Sequence, residues 1–181
     1  MDITLSKPRG QLQWLRTYLL YRKAFPASER KPFRIIYFMH RKGKTDLWCI
    51  RCGNRFAGFA STVNGENLIL LDYLAVAPSF RGKGIGTAAL TQFLSKYPGQ
   101  GVFVEIEDTA CPGPDLDTRL RRKAFYQNCG MEELRTRAEV FGVNMELLGR
   151  DCALDFARYK SFYEIYYSPW AAQHILPANP L

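Results

Sequence analysis

The chain has 181 residues, 47% of them apolar and 23% charged, with a formal net charge of +8. That composition suits one folded domain with a sizeable core, excludes an intrinsically disordered chain, and contains no apolar run long enough to span a membrane. The opening residues, MDITLSKPRGQLQ, carry no apolar segment behind a basic start, so no signal peptide is expected and a cytoplasmic protein is the default.

Taken in order, residues 3–5 read as a short strand closed by Pro8 and Gly10. Over 11–25, Leu12, Leu15, Tyr18 and Leu19 recur at helical spacing with Arg16, Arg22 and Lys23 between them. This predicts an amphipathic helix stopped by Pro26. Ser28 is placed to cap a second helix, with Pro32 in its first turn and Phe33, Ile36, Tyr37 and His40 along it. His40 on that stripe reads as a packed histidine. Strands follow at 46–50 and 55–63 around Gly53-Asn54, and Asn64-Gly65, a strong hairpin signal, leads into a run at 68–76. That run is apolar at nearly every position, so it is expected to be central and covered on both faces.

A turn through Ala77 and Pro78 and a glycine-rich loop come next. Ile85, Ala88, Ala89, Gln92, Phe93 and Lys96 then carry a helix to Tyr97, ended by Pro98-Gly99. GVFVEIED, residues 101–108, is a strand, and a strand–helix–strand crossover of this length makes it parallel to 68–76. After the irregular loop TACPGPD, Asp115 or Asp117 caps a helix running to Asn128, with Cys129-Gly130 at its end. Strands near 133–140 and 143–148 and a helix over 154–167, broken at Ser168-Pro169, complete the chain. The order predicts an α/β fold: a mixed, mostly antiparallel sheet of about six to seven strands, one parallel β-α-β crossover, and helices on both faces. Residues 1–150 form the expected domain and 151–181 a C-terminal helical extension packed on it.

The charge is uneven. Residues 1–55 hold thirteen Lys/Arg against Asp2, Glu29 and Asp46, or +10, and the remainder is −2. The basic residues are dispersed and no nucleic-acid motif accompanies them, so solvated helix faces are the reading and nucleic acid is not expected. Cys49, Cys52, Cys111, Cys129 and Cys152 are odd in number and irregularly spaced, which fits reduced thiols. Cys49 and Cys52 make a CxxC with no second pair, and only His40 and His174 supply imidazoles, so no metal is expected.

The chemistry is concentrated in LILLDYLAVAPSFRGKGIGTAA, residues 68–89. Strand, glycine loop and helix start form a layout that holds a phosphate on backbone N–H groups. A Walker A loop is absent, because Lys83 precedes Gly84 and Gly86. Gly84, Gly86 and Ala89 match GxGxxA of a dinucleotide site, with Glu107 near the position of a ribose-binding acid. Against that reading, Pro78 and further loop residues separate the strand from the glycines, and the antiparallel meander leaves no room for a doubly wound sheet.

Leu74-Ala75-Val76 followed by Arg81-x-x-Gly84-x-Gly86 resembles the acetyl-CoA signature of the GNAT N-acetyltransferase superfamily. The segment 124–131, AFYQNCGM, resembles the family's tyrosine-containing ending, with Met131 for the usual phenylalanine. The resemblance covers roughly residues 3–148 and departs at Arg119, where many members carry an asparagine, and in the longer loop before it.

The resemblance implies acetyl-CoA as cosubstrate and direct acetyl transfer to an amine. Backbone N–H groups of Arg81, Gly82, Lys83, Gly84, Ile85, Gly86 and Thr87 would hold the pyrophosphate. Leu74, Ala75 and Val76 would bind the pantetheine, with the Val76 N–H at the developing oxyanion. Tyr126 is the candidate general acid for the thiolate. Among the strand acids, Glu105 ranks first as general base, Asp72 second and Glu107 third; Asp72 is the lone charge in an apolar strand. Cys129 is set aside as a nucleophile because the family transfers the acyl group directly. The acceptor is a small-molecule or peptide amine, and the basic surface favours one with acidic groups; no nucleic acid or membrane partner is expected, and a homodimer is compatible with the reading. The alternative is a non-catalytic CoA-binding or regulatory module of the same fold.

Overall fold

The structure is a computed structural model and describes residues 2–178, apart from the side chain of Ser28. Two compact units divide the chain. One takes the chain up to Asn64 together with Leu71–Pro98; the other takes Gly65–Leu70 and the chain from Gly99 onward.

In the first unit, β1 (Ile3–Ser6) pairs antiparallel with β2 (Leu47–Cys52), and β2 with β3 (Arg55–Asn64). β4 (Leu68–Val76) is the next neighbour of β3. Side-chain alternation along these strands creates two packing surfaces. On one, Leu47, Phe59, Tyr73 and Ala75 meet Leu20 and Tyr21 of α1 (Gly10–Ala24) and Ile36 of α2 (Phe33–Arg41). On the other, Ile50, Ala57, Leu74 and Val76 meet Phe80 and the Ile85 and Ala89 side chains of α3 (Ile85–Leu94).

The leucine stripe of α1 is not its packed face. Leu12, Leu15 and Leu19 are 59%, 52% and 55% exposed, while Thr17, Leu20 and Tyr21 are buried. The Tyr21 ring meets Tyr73 at 4.9 Å, and its hydroxyl donates to the Lys31 carbonyl at 2.9 Å. Trp14, on the same side, lies edge-on to Tyr37 at 4.9 Å. The face bearing Trp14, Leu20 and Tyr21 offers more apolar area and a satisfied hydroxyl, so the helix rolls toward it.

α2 begins at Phe33 with Pro32 as its N-cap, and residues Ala27–Glu29 form a separate 3-10 turn. The expected cap at Ser28 rests on a side chain outside the described residues. His40 is packed as expected: its Nδ1 lies 3.0 Å from the Thr45 carbonyl and 3.3 Å from the Leu47 N–H, with Trp14 beside the ring. The five cysteines are free thiols. Cys49 faces Thr17, whereas Cys52 packs with Ile3 and Ile50, so the CxxC pair points to opposite sides of the sheet.

In the second unit, Leu68–Leu70 pairs parallel with Gly101–Phe103 of β5 (Gly101–Glu107). β5 then pairs antiparallel with β7 (Val143–Arg150), β7 with β6 (Glu132–Val140), and β6 with β8 (Ile175–Pro177). Strand order is β1-β2-β3-β4-β5-β7-β6-β8, a sheet of eight strands. The added member, β8, is three residues ending in proline, too short for alternation to announce it.

The Asn64-Gly65 turn differs from a two-residue hairpin: three residues separate β3 from β4. Gly65 is required for room, since a Cβ there would meet the Leu68 carbonyl oxygen at 2.7 Å and the Phe162 ring at 2.9 Å. Phe162 belongs to α5 (Phe156–Tyr166). Ser168-Pro169 opens a further helix, α6 (Pro169–Gln173), with the Ala171 N–H donating to Ser168 Oγ at 3.0 Å. α4 (Leu116–Asn128) packs beside β5 and β6. Among the described residues no helix is long and apolar enough to cross a membrane.

Candidate functional site

β4 ends at Val76, and a 3-10 turn at Pro78–Phe80 starts the glycine loop. Gly82 and Gly84 both adopt left-handed conformations, with φ of 69° and 71°, which glycine reaches without a Cβ penalty. Gly84 is the N-cap of α3 and no side chain caps that end. The first N–H groups of a helix have no intrahelical acceptor, so they stand ready for an anion. Residues 81–84 and Thr87 are exposed, whereas Ile85 is buried against the sheet and anchors the helix start.

The two loop cations brace the loop itself. Arg81 Nε donates to the Val76 carbonyl at 3.0 Å, and Lys83 Nζ to the Ser79 carbonyl at 2.9 Å. The Arg81 N–H is used in the 3-10 turn, donating to the Pro78 carbonyl at 3.2 Å. The series of donors facing outward therefore starts at Gly82, one residue later than expected.

The end of β4 is held from behind by Gly58, a position the sequence did not single out. A Cβ on Gly58 would lie 2.3 Å from the Ala75 carbonyl oxygen and 3.2 Å from the Val76 Cα. Both obstacles are backbone, so neither a rotamer change nor a flexible side chain relieves the clash. Gly58→Ala is expected to cost about 1–3 kcal/mol, in the range of overpacked cores, and to lower the melting temperature by roughly 5 °C. Calorimetric melting of the variant checks this.

The three candidate acids are differently engaged. Asp72 Oδ1 accepts from Lys31 Nζ at 2.7 Å, an ion pair that explains how a lone charge sits in an apolar strand. The segment between α1 and α2, which carries Lys31, is also tied to β4 by Tyr73, whose hydroxyl donates to the Glu29 carbonyl at 2.9 Å; burial pushes that phenol up. Glu107 lies 3.7 Å from the Arg119 guanidinium. Glu105, half-buried on β5, accepts from two tyrosine hydroxyls of α5, Tyr159 at 2.7 Å and Tyr163 at 2.9 Å.

Tyr126 sits in the last turn of α4, buried, with its ring edge-on to Phe125 at 5.1 Å. Burial pushes its phenol up to about 12, so it keeps its proton at neutral pH. Cys129 is the half-buried C-cap of the same helix. Arg119, only 5% exposed, donates to the Asp108 carbonyl at 2.6 Å and pairs with Asp115 at 3.3 Å. A Cβ on Gly113 would come within 2.7 Å of its Nη2, so Arg119 fills the space inside the 108–115 loop.

A model of the acetyltransferase (GNAT) family matches residues 14–131, nearly two thirds of the chain. The chain belongs to the GNAT acetyltransferase family. The match includes the glycine loop, all three acids and Tyr126, and ends at Met131.

Solved structures share the fold at low identity. A putative GNAT-family acetyltransferase from Bacteroides thetaiotaomicron superposes with a TM-score of 0.73 at 18% identity, covering 92% of this chain and 98% of that one. An acetyltransferase from Bacillus subtilis in complex with CoA gives 0.60 at 15% identity, covering 83% and 97%. The ribosomal-protein-S18-alanine N-acetyltransferase of Escherichia coli gives 0.57 at 16% identity, covering 84% and 96%. No curated protein matches the chain.

Within this GNAT chain, the partners found for Arg119, the Asp108 carbonyl, Asp115 and Glu107, lie in its own loop and strand end. Tyr159 and Tyr163 fall beyond the family match and were not read from sequence. The one available signal was their spacing of four on a helix, which is equally the mark of a packed face.

Proposed function

We propose that this GNAT protein transfers an acetyl group from acetyl-CoA directly to an amine. The observation that supports this best is the loop after β4: Arg81-x-x-Gly84-x-Gly86 folded through left-handed glycines into an open helix N-terminus, inside the family match. The donor N–H groups from Gly82 to Thr87 suit a pyrophosphate, and the end of β4 at Leu74, Ala75 and Val76 suits a strand-like pantetheine arm. In the reaction the amine nitrogen attacks the thioester carbon and the C–S bond breaks. The Val76 N–H stabilises the oxyanion, Glu105 takes the proton from the acceptor ammonium, and Tyr126 donates its proton to the departing thiolate. Residues 1–150 constitute the acetyltransferase domain in this reading, and 151–181 its extension.

The acceptor is a small-molecule or peptide amine. Structural neighbours named for amine acceptors include the Escherichia coli enzyme above and a spermidine N-acetyltransferase from Vibrio cholerae. Acetyl-CoA at 100 times its Kd should stabilise the protein by about 2.7 kcal/mol and raise its melting temperature. No rise at millimolar acetyl-CoA overturns the reading. Thioester cleavage should then be measured against spermidine, alkylamines, lysine-containing peptides and alanine-terminated peptides. A melting rise without cleavage on any of them favours the non-catalytic CoA-binding module.

A further inference from the structure

The acid assigned above as general base is held by a helix outside the family match. Tyr159 and Tyr163 lie one turn apart on α5, 0% and 4% exposed, with their rings edge-on at 5.4 Å. Tyr159 donates to Glu105 Oε1 at 2.7 Å, and the Tyr163 hydroxyl bridges both carboxylate oxygens, at 2.9 and 3.0 Å. The helix is fixed by other contacts. Asp155 caps it by accepting from the Arg158 N–H at 2.8 Å, Phe162 packs on Phe103 at 5.2 Å, and the Glu66 N–H donates to the Tyr166 hydroxyl at 2.9 Å. The two phenols are thus presented at set positions rather than recruited by the carboxylate.

Two converging hydroxyl donors set the plane of a carboxylate and favour its ionised form. We infer that Tyr159 and Tyr163 are positioning residues for Glu105, holding its carboxylate oriented and ionised to accept the proton of the acceptor ammonium. This rests on the assignment of Glu105 as base. Along the sheet, Leu147 is opposite Glu105 on β7, the apolar Leu68–Leu70 of β4 pairs with Gly101–Phe103 of β5, and Glu107 is the next acid along β5. Burial and the adjacent carboxylate push the Tyr159 phenol well up, so it remains a donor.

The test is the pH dependence of kcat/KM with acetyl-CoA and the best amine of the panel. Removing one donor disfavours the ionised carboxylate, so Tyr163→Phe should move the acidic limb up by about one pH unit. The KM for acetyl-CoA should not change. Tyr159→Phe should move the limb in the same direction, and Glu105→Gln should remove it with most of the turnover. If the limb stays in place in both phenylalanine variants while Glu105→Gln abolishes turnover, the positioning role is overturned and the base assignment stands. If Glu105→Gln keeps wild-type turnover, or no panel amine is acetylated, the base assignment falls and the positioning role with it. Should the phenylalanine variants not fold, 3-fluorotyrosine at position 163, a stronger donor of nearly the same size, should move the limb down; an unmoved limb overturns the inference.

Discussion

Replacing Tyr126 with phenylalanine is expected to slow acetyl transfer by roughly 10²–10⁴-fold, the range for loss of a general acid. The ring is buried and packs on Phe125, and phenylalanine fills the same space. The fold and the acetyl-CoA-dependent rise in melting temperature should therefore survive, and the loss should fall on kcat. The pH profile adds an independent check. With the phenol pushed up to about 12, the donor form persists where an ordinary tyrosine would already be half ionised. Because ionisation removes the proton to be donated, the rate should fall on the basic side only as pH approaches that value. Unchanged turnover in Tyr126→Phe would dismiss the acid role, whereas a tyrosine-dependent basic limb near pH 10 would dismiss only the raised phenol.

The largest effect on stability is expected three residues earlier on the same helix. Lys123 Nζ reaches Glu146 Oε2 and Glu133 Oε2, both at 2.7 Å. Glu146 is fully buried, and its other oxygen accepts from the Thr109 hydroxyl at 2.8 Å. Removing the cation leaves that carboxylate with Arg137 at 3.9 Å and the Thr109 donors. Lys123→Met should cost about 3 kcal/mol, the lower end of the range for breaking a buried pair, and lower the melting temperature by roughly 6–12 °C. Adding Glu146→Leu should restore most of the loss, because the penalty comes from the stranded charge; a double variant as unstable as the single would refute that cause. Lys123 also holds Glu133 below the usual carboxylate range. A depressed carboxylate stabilises the fold above its ordinary value near 4.5, and that contribution disappears as pH falls through the lower folded value. Acid unfolding of Lys123→Met should accordingly begin from a lower plateau and be less steep over that window.

Much of the fold was legible because it depends on local signals. Helices and strands announced themselves by period, and Pro26, Gly53, Pro98 and Gly130 marked their ends. Two local readings needed correction for reasons that lie outside the segment. Which face of α1 is buried was decided by Tyr73 and Phe59 of distant strands, which offer Tyr21 a better site than the leucines would find. Asn64-Gly65 kept its turn but not its type, because Gly65 accommodates Phe162 and not a left-handed backbone.

By itself the sequence determined the order of the elements and the loop at residues 81–86, since a glycine backbone joined to a helix start is a contiguous device. It also named Glu105, Asp72, Glu107 and Tyr126 as the groups worth weighing. What each acid touches came from the tertiary fold: Asp72 is paired with a lysine 41 residues away, and Glu105 accepts from tyrosines 54 and 58 residues away. Partners so remote leave no periodic trace, because the chain between them is free to vary as long as the fold returns them to contact. Gly58 and Arg119 belong to the same class, their importance lying in the space around them and not in any pattern along the chain.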